Sequence, residues 1–97
     1  MKRAMKPIHP GAILREDVLK SYNLTITDAA RDLQISRKQL SEIANEKSPV
    51  TTEMAIRLEQ VFKIDASFWL DLQRDFDLWK IKESDRIHLK PLNGLRA

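Results

Sequence analysis

No cysteine occurs in this chain, so disulfides and thiolate metal sites are excluded. Glycine is almost as scarce, with two residues in 97, and proline contributes four. A turn-rich β-protein draws on more of both, and two glycines cannot build a phosphate-cradling loop; no G-x-x-x-x-G-K-S/T segment is present. No apolar run is long enough to span a bilayer, and the basic start is followed by no apolar stretch of the signal-peptide kind. His9 and His88 lie far apart and lack a ligand partner at metal spacing. The carboxylates are scattered over charged helix faces, as in the i,i+4 pair Asp71 and Asp75, and no catalytic constellation emerges. The expectation is therefore a cytoplasmic protein with no membrane contact, no catalytic residues, no metal and no cofactor.

What is present is an ordinary hydrophobic content of 42% beside 32% charged residues, enough for one domain with a modest core. The net charge of +3 hides an uneven distribution. Lys2, Arg3 and Lys6 lie in residues 1–9 and Arg86, Lys90 and Arg96 in residues 86–97, with no acid in either stretch. The excess positive charge thus sits at the two ends, as a basic arm (1–9) and a flexible basic tail (84–97). Such ends can follow phosphates or meet an acidic partner, or simply be solvated.

Between them, residues 10–83 read as a succession of helices, with Asn45-Glu46-Lys47-Ser48-Pro49-Val50 a loop by composition. Pro10 suits a first helical turn, and Ile13, Leu14, Val18 and Leu19 predict an inward stripe to about Tyr22, with Asn23 as the stop. Thr51 or Thr52 can cap a helix whose apolar face is Met54, Ala55, Leu58, Val61 and Phe62. Asp65 or Ser67 can cap the next, which carries Phe68, Trp69, Leu70, Leu72 and Phe76 and can extend past Trp79. Pro91 and Gly94 forbid a long continuation. Trp69 at helical spacing with Leu72 and Phe76 reads as core.

Residues 25–45 carry the sharpest pattern. Thr25 with Asp28 and Ser36 with Gln39 have the spacing of capping boxes, marking the starts of two short helices. Small Ala30, five residues before Ile35, lets the second helix cross close over the first and bury Leu33, Ile35, Leu40 and Ile43. The outer face of that second helix keeps Arg37, Lys38, Ser41 and Asn45. A short rod with a polar, basic outer face held at a fixed angle suits a DNA major groove.

The pair resembles the Cro/C1-type (XRE) helix-turn-helix family. A narrower resemblance, to HigA-type antitoxins of the VapI group, rests on four segments in order. They are His9-Pro10-Gly11-Ala12-Ile13-Leu14-Arg15-Glu16, the stretch Ile35 to Ile43, Thr52 to Leu58, and Phe68-Trp69-Leu70-Asp71-Leu72-Gln73 followed by Asp77-Leu78. The fold it implies is all-α, a five-helix bundle of the lambda-repressor-like helix-turn-helix type. Two positions depart from the family. Gln34 stands where many relatives have glycine and is strained if its backbone is left-handed. Ile26 stands where many have a phosphate-touching glutamine.

The expected DNA-facing set is Thr25, Thr27, Ser36, Arg37, Lys38, Gln39, Ser41, Asn45 and Lys47. Arg37 suits a guanine edge, since arginine pairs both of its acceptors, and Lys38 suits a phosphate. Gln39 has a competing task in its capping box. Thr25 and Thr27 are left to anchor phosphate where Ile26 cannot. Glu42 can pair with Lys38 at i,i+4 or point at cytosine. Proteins of this type bind palindromic operators as homodimers, and Leu70, Trp79 and Ile81 are the interface candidates. The resemblance implies double-stranded DNA as one partner, repression of the protein's own promoter, and a RelE-like, mRNA-cleaving toxin neutralised by binding. Two other readings stay open: a stand-alone phage- or plasmid-like regulator, and an interaction module that no longer binds DNA.

Overall fold

A computed structural model describes residues 6–84 and 88–93, with the side chains of 83 and 84 excepted; the expectations placed on Lys2, Arg3, Arg86, Gly94 and Arg96 lie outside these. Among the described residues every element is helical. Helix α1 opens as Pro10–Ile13 and runs on without a break into a π-helical segment, Leu14–Leu19. An i→i+5 turn brings the fifth residue round onto the face of the first, so Leu14, Val18 and Leu19 are all buried. The sequence pattern anticipated the inward residues but not the π geometry. Helices α2 (Ile26–Leu33), α3 (Arg37–Ala44), α4 (Thr52–Phe62) and α5 (Ala66–Ser84) follow.

The expected helix starts form as hydroxyl caps. The side-chain oxygens of Thr25, Ser36 and Thr51 accept from the amides of Asp28, Gln39 and Met54. The return halves of the two capping boxes do not form among the described residues: Asp28 bonds Arg31 instead, and at the second box only the Gln39 amide bonds Ser36, so the Gln39 side chain does not take up the competing task expected of it. At α5, Asp65 precedes the first helical residue, but the carboxylate that receives the Ala66 amide belongs to Glu59 of α4, so neither Asp65 nor Ser67 caps this helix with its side chain.

The helix ends share one device. At Asn23, Gln34, Glu46 and Lys63 the backbone turns left-handed, with φ of 55°, 58°, 65° and 63°. After α2 the amides of Gln34 and Ile35 return to the carbonyls of Arg31 and Ala30, the paired bonds of a Schellman ending. The same pairing follows α3, where Glu46 and Lys47 return to Ile43 and Glu42. No glycine serves at any of these positions. One of the two glycines is used where helices cross: a Cβ at Gly11 would lie 1.8 Å from the carbonyl oxygen of Ile43. Glycine thus lets α1 touch the backbone of α3.

Leu14, Leu33, Leu40, Leu58 and Trp69 form the most deeply buried part of the core. Trp69 is the core residue its spacing predicted. Val61, placed on the inner face of α4 by sequence, is 36% exposed, and Ile35 is only partly buried against the core.

Candidate nucleic-acid interface

Thr27 near the start of α2 and Arg37 at the start of α3 meet: Arg37 Nε donates to Thr27 Oγ1 at 3.0 Å. The bond joins the two N-terminal ends of the helix pair on its exposed side. It leaves both terminal guanidinium nitrogens of Arg37 without a partner among the described residues, in the planar fork that suits a bidentate acceptor. Lys38, Gln39, Asn45 and Lys47 are exposed, as are Thr25 and Ser36. Ser41 is half-buried, and its hydroxyl accepts from Asn45 Nδ2 at 3.3 Å. All nine residues therefore gather on α3, its exit and the start of α2, and none is sealed in the core.

The acids bordering this surface are engaged elsewhere. Asp28 pairs with Arg31 at 2.8 Å, Glu46 lies 3.6 Å from Arg15, and Glu53 pairs with Arg57 at 2.8 Å. Glu42 does not pair with Lys38; its Oε1 takes the Ser48 hydroxyl at 3.5 Å. Among the described residues no carboxylate neutralises Arg37, Lys38 or Lys47. The cationic character of the face therefore survives a chain whose middle holds all 14 acids.

Residues outside the expected set hold α3 in place. The guanidinium of Arg15 donates through Nη1 to the Ala44 carbonyl at the end of α3. On α4, Arg57 Nη1 donates to the carbonyls of Leu33 at 2.8 Å and Gln34 at 3.3 Å, at the end of α2. Gln73 of α5 accepts the Val50 amide at 2.8 Å, fixing the loop after α3. His9, 4% exposed, caps α1 by accepting the Gly11 amide on Nδ1 at 2.9 Å, and its ring stands edge-on to Phe76 with centroids 5.0 Å apart. Burial holds its imidazole below the ordinary 6.5. Sequence reading makes His9, beside Pro10, a helix-entry residue, and its local cap on Gly11 agrees. Its ring contact with Phe76 and the bond from Arg15 to Ala44, 29 residues away, depend on how the helices pack and have no local signal.

Lys6 of the arm lies over the rings of Phe76 and Trp79, 5.8 and 5.6 Å from their centroids. Of the interface candidates, Leu70 is half-buried against the core, Trp79 is half-buried and Ile81 is 49% exposed. Leu78, which sequence reasoning passed over, is 54% exposed.

Two short helices crossing at a tight turn, the second presenting unneutralised cations, define a helix-turn-helix protein. The comparisons with known proteins agree. Residues 16–69 match the helix-turn-helix family model. An uncharacterised HTH-type transcriptional regulator of Haemophilus influenzae is 41% identical over 81 residues, 84% of this chain and 76% of that protein. The solved antitoxin GraA superposes with a TM-score of 0.80 at 36% identity, covering 84% of this chain and 87% of its own. The Pseudomonas aeruginosa antitoxin HigA, solved with the higBA promoter, gives 0.80 at 32% identity over 89% of this chain and 98% of its own. The chain belongs to the Cro/C1-type (XRE) helix-turn-helix family, and its structural neighbours are HigA-type antitoxins.

Proposed function

We propose that this protein is a sequence-specific repressor and the antitoxin of a HigBA-type module. In this reading a homodimer binds a palindromic operator in its own promoter, and the protein neutralises an mRNA-cleaving, RelE-like toxin by binding it, in the cytoplasm and without chemistry of its own. The observation that carries the DNA half is the exposed, unneutralised Arg37–Lys38 start of α3, supported by the likeness to a HigA solved with its promoter. Arg37 is the base reader: Thr27 fixes Nε and leaves the terminal nitrogens for guanine. Because the Thr27 oxygen accepts from Arg37, its own hydroxyl proton is available to a phosphate, which partly replaces what Ile26 cannot offer. Lys38, Asn45 and Lys47 follow the backbone.

The antitoxin half rests on the likeness to GraA and HigA over most of the chain. A regulator without a toxin is the second reading, favoured by relatives such as the Haemophilus protein whose name speaks of transcription alone. Co-expression with the neighbouring open reading frame, followed by pull-down, separates them: a small basic partner retained by this chain supports the antitoxin, and none supports the plain regulator. For DNA, a promoter fragment should shift with a steep salt dependence. Arg37→Ala should weaken binding by about 1–3 kcal/mol and relax specificity at the position it reads. Undiminished affinity and sequence preference in that variant would overturn its assignment.

A further inference from the structure

Gln34 sits at the turn between α2 and α3 with φ 58° and ψ 45°, a conformation that is unfavourable for any residue with a Cβ. The turn is also where the carbonyls ending α2 would otherwise lack partners. One side chain answers both needs. Arg57 reaches from α4 and bonds the Leu33 and Gln34 carbonyls through a single nitrogen, while Nη2 is held by Glu53 at 2.8 Å. Its guanidinium therefore fastens the backbone on both sides of the strained peptide. Past Gln34 only Ile35 and Ser36 separate the turn from α3, so the direction in which the backbone leaves the turn sets the direction of α3.

We infer that Arg57 is a positioning residue for DNA reading: it holds the left-handed turn at Gln34 and thereby the angle at which α3 presents Arg37, Lys38 and Ser41. The inference rests on the DNA-binding reading above. Arg57 itself need not touch DNA. Its effect falls on discrimination, because base-edge contacts demand a fixed helix orientation, whereas phosphate attraction tolerates a loosened one.

The test compares wild type, Arg57→Ala, Arg57→Lys, Gln34→Gly and the Gln34→Gly/Arg57→Ala pair. The probes are the duplex that wild type enriches from a randomised pool and a scrambled duplex of the same length and composition. Binding is measured at a temperature where circular dichroism shows every variant folded. In Arg57→Ala the ratio of affinities for the two duplexes should fall by about tenfold or more, the scale of one lost base-pair preference, with affinity for the scrambled duplex nearly unchanged. Arg57→Lys, which keeps the charge but not the planar fork, should lie between. Gln34→Gly should restore most of the ratio to the Arg57→Ala chain, because glycine adopts the turn unaided.

A lowered thermal midpoint with an unchanged ratio in Arg57→Ala overturns the proposal, leaving Arg57 as scaffold. A ratio that falls and is not restored by Gln34→Gly overturns the route through the turn. Should Arg57→Ala prove unfolded, Arg57→Lys and the double variant decide the matter by the same ratio. Wild type that enriches no sequence sinks the DNA reading itself, and the proposal with it. Wild type that discriminates beside an equally discriminating Arg57→Ala leaves that reading standing and removes only the role of Arg57.

Discussion

His9 ties the stability of the fold to pH through one hydrogen bond. Nδ1 must be unprotonated to accept the Gly11 amide, and burial, partly offset by Glu46 and Asp77 and reinforced by Lys80 and Lys6, keeps the ring neutral below its ordinary 6.5. The unfolded chain therefore takes up its proton first as pH falls. Stability is fully present above about 6.5, declines as pH falls through that value toward the lower folded one, and then levels off. Urea midpoints taken between about pH 8 and pH 5 should fall for wild type and stay nearly level for His9→Asn, whose amide oxygen can still cap the helix. A wild-type curve as flat as that of the variant would remove the cap from the account. Glu16, whose carboxyl is held at about 2 by hydrogen bonds from Arg15 and Lys20, sheds its contribution only as pH falls from the ordinary 4.5 toward that value, below this window.

Helix ends divide what could be read in the sequence from what could not. Starts were legible where a hydroxyl sits three residues before its target amide, as at Thr25, Ser36 and Thr51, because that bond is local. The start of α5 was misread because the carboxylate that meets its first amide comes from Glu59, seven residues before Ala66 and on another rod. The π-helical turn in α1 escaped notice because a stripe of Ile13, Leu14, Val18 and Leu19 fits an ordinary helix nearly as well. Among the residues proposed to meet DNA, the exposed face of α3 followed from periodicity, whereas the Arg37–Thr27 bond, ten residues apart, required the crossing angle. The helix exits carry a prediction of their own. Lys63 ends α4 at φ 63° and is exposed, so Lys63→Gly should relieve strain and stabilise the protein by about 0.5–1 kcal/mol. Calorimetry should show a midpoint a few degrees higher, and a lower one would mean that the lysine side chain holds something there.

At the scale of the molecule, α5 carries more apolar surface than one bundle can bury. Trp69 fills the core while Phe68, Leu78 and Ile81 stay exposed, and no helix among the described residues is long and apolar enough to cross a membrane. A second copy covering the later turns of α5 would bury Leu78 and Ile81 and supply the two-fold symmetry that the proposed palindromic operator asks for. Sedimentation velocity should therefore show a dimer for wild type and a shift toward monomer for Trp79→Ala with its fold intact. Unchanged dimerisation would move the interface elsewhere.

The ties around α3 also divide the bundle mechanically. Gly11 and Arg15 latch α3 to the chain's first helix, whereas its companion α2 is latched to α4 through Arg57. A fluctuation that peels α1 away would unlatch α3 at its far end while α2 and α4 stay clasped. A ligand gripping the first helix would then press directly on α3, with no relay through the rest of the domain.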